Sequence, residues 1–104
     1  MQNKLKILLA TSATVFVFGY STANADSLTA VSWGGAYTKS QLEAYHKPFE
    51  KKTGIKMNSE DYNGGLAEVK AQVQAKNVTW DLVDVELSDA VKGCDEGILE
   101  RIDH

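Results

Sequence analysis

Two glycine pairs, Gly34-Gly35 and Gly64-Gly65, constrain this chain more than any other feature, because each lies between an extended pattern and a helical one. The unit reads strand, glycine loop, helix, and it occurs twice. In its first copy, Leu28 to Val31 leads into Ser32-Trp33-Gly34-Gly35-Ala36-Tyr37 and a helix that opens at Thr38. Paired glycines let the backbone take positive φ and approach a ligand, and a helix start offers unpaired N–H groups at a positive dipole end. Trp33 and Tyr37 add large contact area with a hydrogen-bonding tip. The set suits the mouth of a small-molecule site. It fits equally a βα turn whose glycines are purely conformational and whose aromatics belong to the core.

In chain order, Thr38-Lys39-Ser40-Gln41 has the form of a capping box, with Thr38 as N-cap and Gln41 reaching back. Leu42, Tyr45 and Phe49 then recur at helical spacing, so this helix is expected to bury one stripe. Pro48 removes an N–H and predicts a kink or break near His46, with a second piece ending at Gly54 as a C′ glycine. Ile55 to Tyr62 alternates with period two and reads as the second strand. Asn63-Gly64-Gly65 feeds the second helical pattern, with Leu66, Val69 and Val73 on one side, and Asn77-Val78-Thr79 stops it. Trp80 to Glu86 is a third strand, apolar enough to be covered on both faces and so expected at the centre of the sheet. Ser88 is expected to cap a short helix with Val91 and Cys94 facing inward and Gly97 at its end, before an extended stretch from Ile98 to Ile102.

Strands alternating with helices predict a parallel α/β sheet, a βαβαβα start. Ligands of such sheets sit outside the carboxyl ends of the strands. Here those ends are Trp33-Gly34-Gly35, Asn63-Gly64-Gly65 and Glu86-Leu87-Ser88. Trp80, at the amino end of its strand, is expected on the opposite edge.

Residues 1–25 place Lys4 and Lys6 before an apolar run from Ile7 to Phe18 and end in Ala23-Asn24-Ala25. This is the pattern of a cleavable signal peptide, cut after Ala25, and the run is shorter than the ~20 residues of a membrane span. Residues 26–104 are then the mature part: exported, periplasmic and not membrane-embedded. Loss of Lys4 and Lys6 leaves nine basic against fourteen acidic side chains, a formal −5. An acidic domain whose nearest basic group is Lys47, Lys51 and Lys52 on one helix face is a poor nucleic-acid reader. The single cysteine, Cys94, closes no internal disulfide.

Ser32-Trp33-Gly34-Gly35-Ala36-Tyr37, Phe49-Glu50-Lys51-Lys52-Thr53-Gly54-Ile55-Lys56 and Trp80-Asp81-Leu82-Val83-Asp84, behind a signal peptide, resemble the N-terminus of periplasmic solute-binding proteins of ABC transporters. The segment Gly93 to Glu100 resembles the spermidine/putrescine-binding group among them. The resemblance implies a type II periplasmic-binding-protein fold of two α/β lobes joined by a hinge, of which this chain carries a truncated first lobe. It further implies a polyamine or related small solute, a membrane permease as partner, and a cysteine further along as the mate of Cys94. Where typical polyamine binders carry an aromatic-acidic box, this chain departs with Trp33-Gly34-Gly35, which leaves polyamine as one option among amino-acid derivatives and other small organic solutes.

The expected ligand-binding residues are Trp33 as a stacking wall, the Gly34 and Gly35 backbone, the Tyr37 hydroxyl, and Glu86 with Ser88; Asp61 is a further acidic partner for a cationic solute. Each of these acids also reads as a solvated strand-end charge. The alternatives are a truncated fragment without binding activity, and a small secreted thiol enzyme pairing Cys94 with His46. Nothing near Cys94 supplies an oxyanion loop or an orienting third group, so the reading is of a non-enzyme. His46 is a lone imidazole beside the expected break and reads as a surface residue, so neither metal nor cofactor is expected.

Overall fold

A computed structural model describes residues 27–103. The leader expectation therefore lies outside the described residues. β1 (Ser27–Ser32), β2 (Lys56–Asp61) and β3 (Leu82–Val83) form a parallel sheet in the order β2-β1-β3. Parallel α/β architecture is as expected, but the centre is β1. β3 is a two-residue strand at the edge, with Leu82 half exposed. A continuous apolar run reports that both faces want cover, and carries no information about lateral neighbours.

Register places Val31 between Glu60 and Val83. On that face α3 (Ala67–Gln74) brings Val69 to a small core of Val31, Tyr62 and Trp80, with Val83 and Val85 alongside. Val31 is 2% exposed. On the other face lie α1 (Gly35–Gln41) and α2 (Lys47–Thr53). They leave an open apolar cleft of about 320 Å³ against Leu28, Ala30, Met57 and Leu82. The stripe expected to be buried is only partly covered: Tyr45 is 69% exposed and Phe49 38%.

The first helix begins three residues before Thr38, at Gly35, with Gly34 as N-cap at φ 85° and ψ −178°. Only glycine holds that conformation at ease, so the glycine pair itself turns the chain into the helix. Thr38 is buried within the helix and accepts the Gly34 N–H at 2.8 Å, while Gln41 turns away towards β3. Pro48 causes no break. Leu42–His46 widens into a π-helical turn, in which the Lys47 N–H donates to the Leu42 carbonyl, and Pro48 enters as one of the first residues of α2. The wider turn relieves the clash that a proline ring makes with the carbonyl four residues back. Gly54, at φ 74°, is the expected left-handed C′ residue.

α3 ends through two bonds, Asn77 N–H to the Gln72 carbonyl and Lys76 N–H to the Val73 carbonyl. This is a Schellman closure that forces Lys76 to φ 53°. The N-cap of α4 (Leu87–Asp95) is Glu86, two residues before the expected Ser88 cap, so Ser88 lies inside the first turn. Its buried residue is Gly93, against Leu99 and Leu66, and Val91 and Cys94 are exposed. The helix leans on the body through the residue with no side chain. Gly97 ends it at φ 70°, and the stretch after it forms no strand.

Candidate functional site

Across the carboxyl end of the sheet, Ser32 stands in register with Asp61 on β2, and Asp84 follows β3 on the other side, its N–H donating to the Val31 carbonyl at 2.9 Å. Two carboxylates thus flank the last residue of β1, on the face that carries α1. Asp61 accepts the Thr38 hydroxyl at 3.1 Å and lies against Gly34, where a Cβ would come within 3.2 Å of its Oδ2. Asp84 Oδ2 accepts from Ser32 Oγ at 3.1 Å and Gln41 Nε2 at 2.8 Å. The Asp84 carbonyl accepts the Trp33 indole N–H at 3.0 Å and the Tyr62 hydroxyl. The Asp84 carboxylate also holds the Tyr37 hydroxyl above its ordinary pKa, first by accepting its hydrogen bond and then by its charge.

Beyond this girder the three loop ends enclose a pocket of about 270 Å³, lined by Trp33, Asn63, Gly64, Gly65, Glu86 and Asp89. Trp33 is 44% exposed and forms an aromatic wall, with Tyr37 tilted beside it at 6.1 Å between ring centres. Glu86 and Asp89 supply negative charge from the N-terminal end of α4. An aromatic face beside two carboxylates is chemistry for an organic cation.

Of the residues singled out in the sequence, Trp33 and Glu86 line this pocket. Gly34 and Gly35 form the turn beneath it, and the Gly34 N–H is already engaged by Thr38. Tyr37 is turned towards Asp84, Asp61 is committed to Thr38, and Ser88 is exposed beside the pocket without lining it. Sequence reasoning missed Asp89 and Asp84. The signal for Asp84 was a lone acid between two valines, at a strand position where a charge needs partners. Trp80 is buried in the core, its ring edge-on to Tyr62.

His46 lines the apolar cleft under α1 and α2, whereas Cys94 lines a separate cleft with Val85, Leu99 and Ile102. No hydrogen bond joins them. Cys94 is exposed and unpaired. Among the described residues no three His, Cys, Asp or Glu side chains converge in a way that could hold a metal ion, and no helix is long and apolar enough to cross a membrane.

Residues 44–104, more than half of the chain, match the model of the family described as bacterial extracellular solute-binding protein. The gamma-aminobutyric acid-binding protein of Pseudomonas aeruginosa is 47% identical over 81 residues, 78% of this chain and 23% of its own length. Among solved structures, the periplasmic binding protein AgtB of Agrobacterium tumefaciens R10, in complex with agropinic acid, superposes with a TM-score of 0.70 at 36% identity. An ABC transporter substrate-binding protein of Bradyrhizobium japonicum gives 0.71 at 34% identity. MotA of A. tumefaciens B6, in complex with glucopine, gives 0.69 at 28% identity. Each covers 74% of this chain, which spans 24% of theirs. The matched part of the chain therefore spans about a quarter of the length of these relatives, and the chain has the α/β fold of periplasmic binding proteins. With its parallel sheet and glycine-loop edge, it belongs to the bacterial extracellular solute-binding protein family.

Proposed function

We propose that this chain belongs to the solute-capturing component of an ABC transporter, exported by cleavage after Ala25 to work outside the cytoplasm and to deliver its solute to a membrane permease. The observation that carries the reading is the pocket in which Trp33 faces Glu86 and Asp89 across the Gly64-Gly65 loop. A solute with an ammonium group fits it, the cation between the carboxylates and the carbon chain along the indole. The relative from Pseudomonas aeruginosa is named for gamma-aminobutyric acid, which carries one ammonium group, and this supports an amino-acid-type solute for the present chain. A polyamine such as putrescine or spermidine satisfies the same charges and is the second reading. The remaining acidic surface adds mild steering of cations.

Because one sheet edge covers one face of a ligand, the expected dissociation constant is about millimolar. Titration of the chain with 4-aminobutyrate, putrescine, spermidine and, as a control, neutral glucose tests the reading, with the two indole N–H resonances of Trp33 and Trp80 as reporters. The amines are expected to shift the Trp33 signal and leave that of Trp80 in place. A response to glucose equal to that of the amines, or a response confined to Trp80, overturns the assignment.

A further inference from the structure

Asp84 follows a strand of two residues at the edge of the sheet, yet it gathers more polar contacts than any residue of the pocket beside it. Its main-chain carbonyl accepts the Trp33 indole N–H from the end of β1 and the Tyr62 hydroxyl from the end of β2. Its carboxylate accepts Ser32 from β1 and Gln41 from α1. Carboxylate Oδ2 and the main-chain carbonyl therefore tie one residue to both neighbouring strand ends and to the first helix. Trp33 itself is 44% exposed, so packing alone leaves its ring free to turn, and the indole N–H bond is what fixes the plane it presents to the pocket. The same carboxylate raises the pKa of Tyr37, the ring beside Trp33.

We infer that Asp84 is the positioning residue of the solute site: its carboxylate, anchored on Ser32 and Gln41, holds its own carbonyl where the Trp33 indole must dock. It does not itself line the pocket, and acts through Trp33. The inference rests on the reading of Trp33 as the ligand wall, but its first test needs no ligand.

The measurement is hydrogen exchange of the two indole N–H groups in the full chain, wild type against Asp84→Ala and Asp84→Asn. In Asp84→Ala the Trp33 indole is expected to exchange about tenfold faster, the scale of losing one hydrogen bond, while the Trp80 indole is unchanged. Asp84→Asn keeps one carbonyl oxygen and is expected to fall between the two. Titration with 4-aminobutyrate should then weaken in the same order. If Asp84→Ala does not fold, Asp84→Asn decides alone. Exchange of Trp33 at the wild-type rate overturns the inference, as does equal acceleration of both indoles in Asp84→Asn, which marks a folding residue and nothing more. Faster Trp33 exchange with no amine binding in any variant sinks the solute reading and leaves the positioning of Trp33 standing.

Discussion

The indole N–H of Trp80 donates to Glu60 Oε2 at 2.9 Å, and its ring stands edge-on to Tyr62 at 5.6 Å. The pair links the start of β3 to the end of β2 across β1, although β2 and β3 share no ladder. Trp80→Ala is expected to cost about 3–5 kcal/mol, the scale of emptying a core aromatic, and to leave little folded protein. Glu60→Gln keeps an acceptor and should cost about 1 kcal/mol or less. Urea unfolding followed by far-UV circular dichroism separates them, and equal losses would mean that charge, not packing, holds Trp80.

Gly34 combines a glycine-only conformation with a close neighbour, the Asp61 carboxylate. Gly34→Ala should lose about 1–3 kcal/mol. Adding Asp61→Ala relieves the contact but not the backbone strain, so the double variant is expected to recover only part of the loss. Full recovery in a denaturant titration would show that the contact alone selects glycine.

Lys76 is the one non-glycine residue at positive φ among the described residues, held there by the closure of α3. Lys76→Gly is expected to stabilise the chain by about 0.5–1 kcal/mol. The check is a rise in the urea midpoint at unchanged slope, and a fall would show that the lysine side chain contributes more than its backbone costs.

The Tyr37 hydroxyl, held by Asp84, has its pKa raised from 10.0. The folded state therefore keeps its proton more tightly than the unfolded state does. Its contribution to stability is complete below pH 10 and is lost as pH rises through the raised value. The stability difference between wild type and Tyr37→Phe should be constant in neutral solution and shrink only in strong alkali. Tyr37 is exposed, so solvent screens the effect and the change will be small. A difference that vanishes already near neutral pH would contradict the assignment.

Cys94 is exposed on α4. A thiol reagent should modify it in the folded chain within about tenfold of its rate in denaturant, because access, rather than unfolding, limits the reaction. Strong protection would place the thiol inside, as its helical spacing suggested.

Sequence alone determined the local grammar of this protein. The αL glycines at Gly54 and Gly97, the extended stretch around β2, and the gathering of Trp33, Asn63-Gly64-Gly65 and Glu86 at one edge all follow from residue type, period and strand direction. Tertiary structure decided what depends on neighbours remote in sequence. The central place of β1 rests on ladders to β2 and β3, and hydrophobic pattern reports cover without naming a partner. The inward residue of α4 is Gly93 because Leu99 and Leu66 fill the space a side chain would take, and only the packed chain brings them there. Asp84 was not singled out because its donors Ser32, Trp33, Gln41 and Tyr62 all lie at least 22 residues away along the chain. A buried polar group is defined by the donors that reach it, and folding chooses those donors.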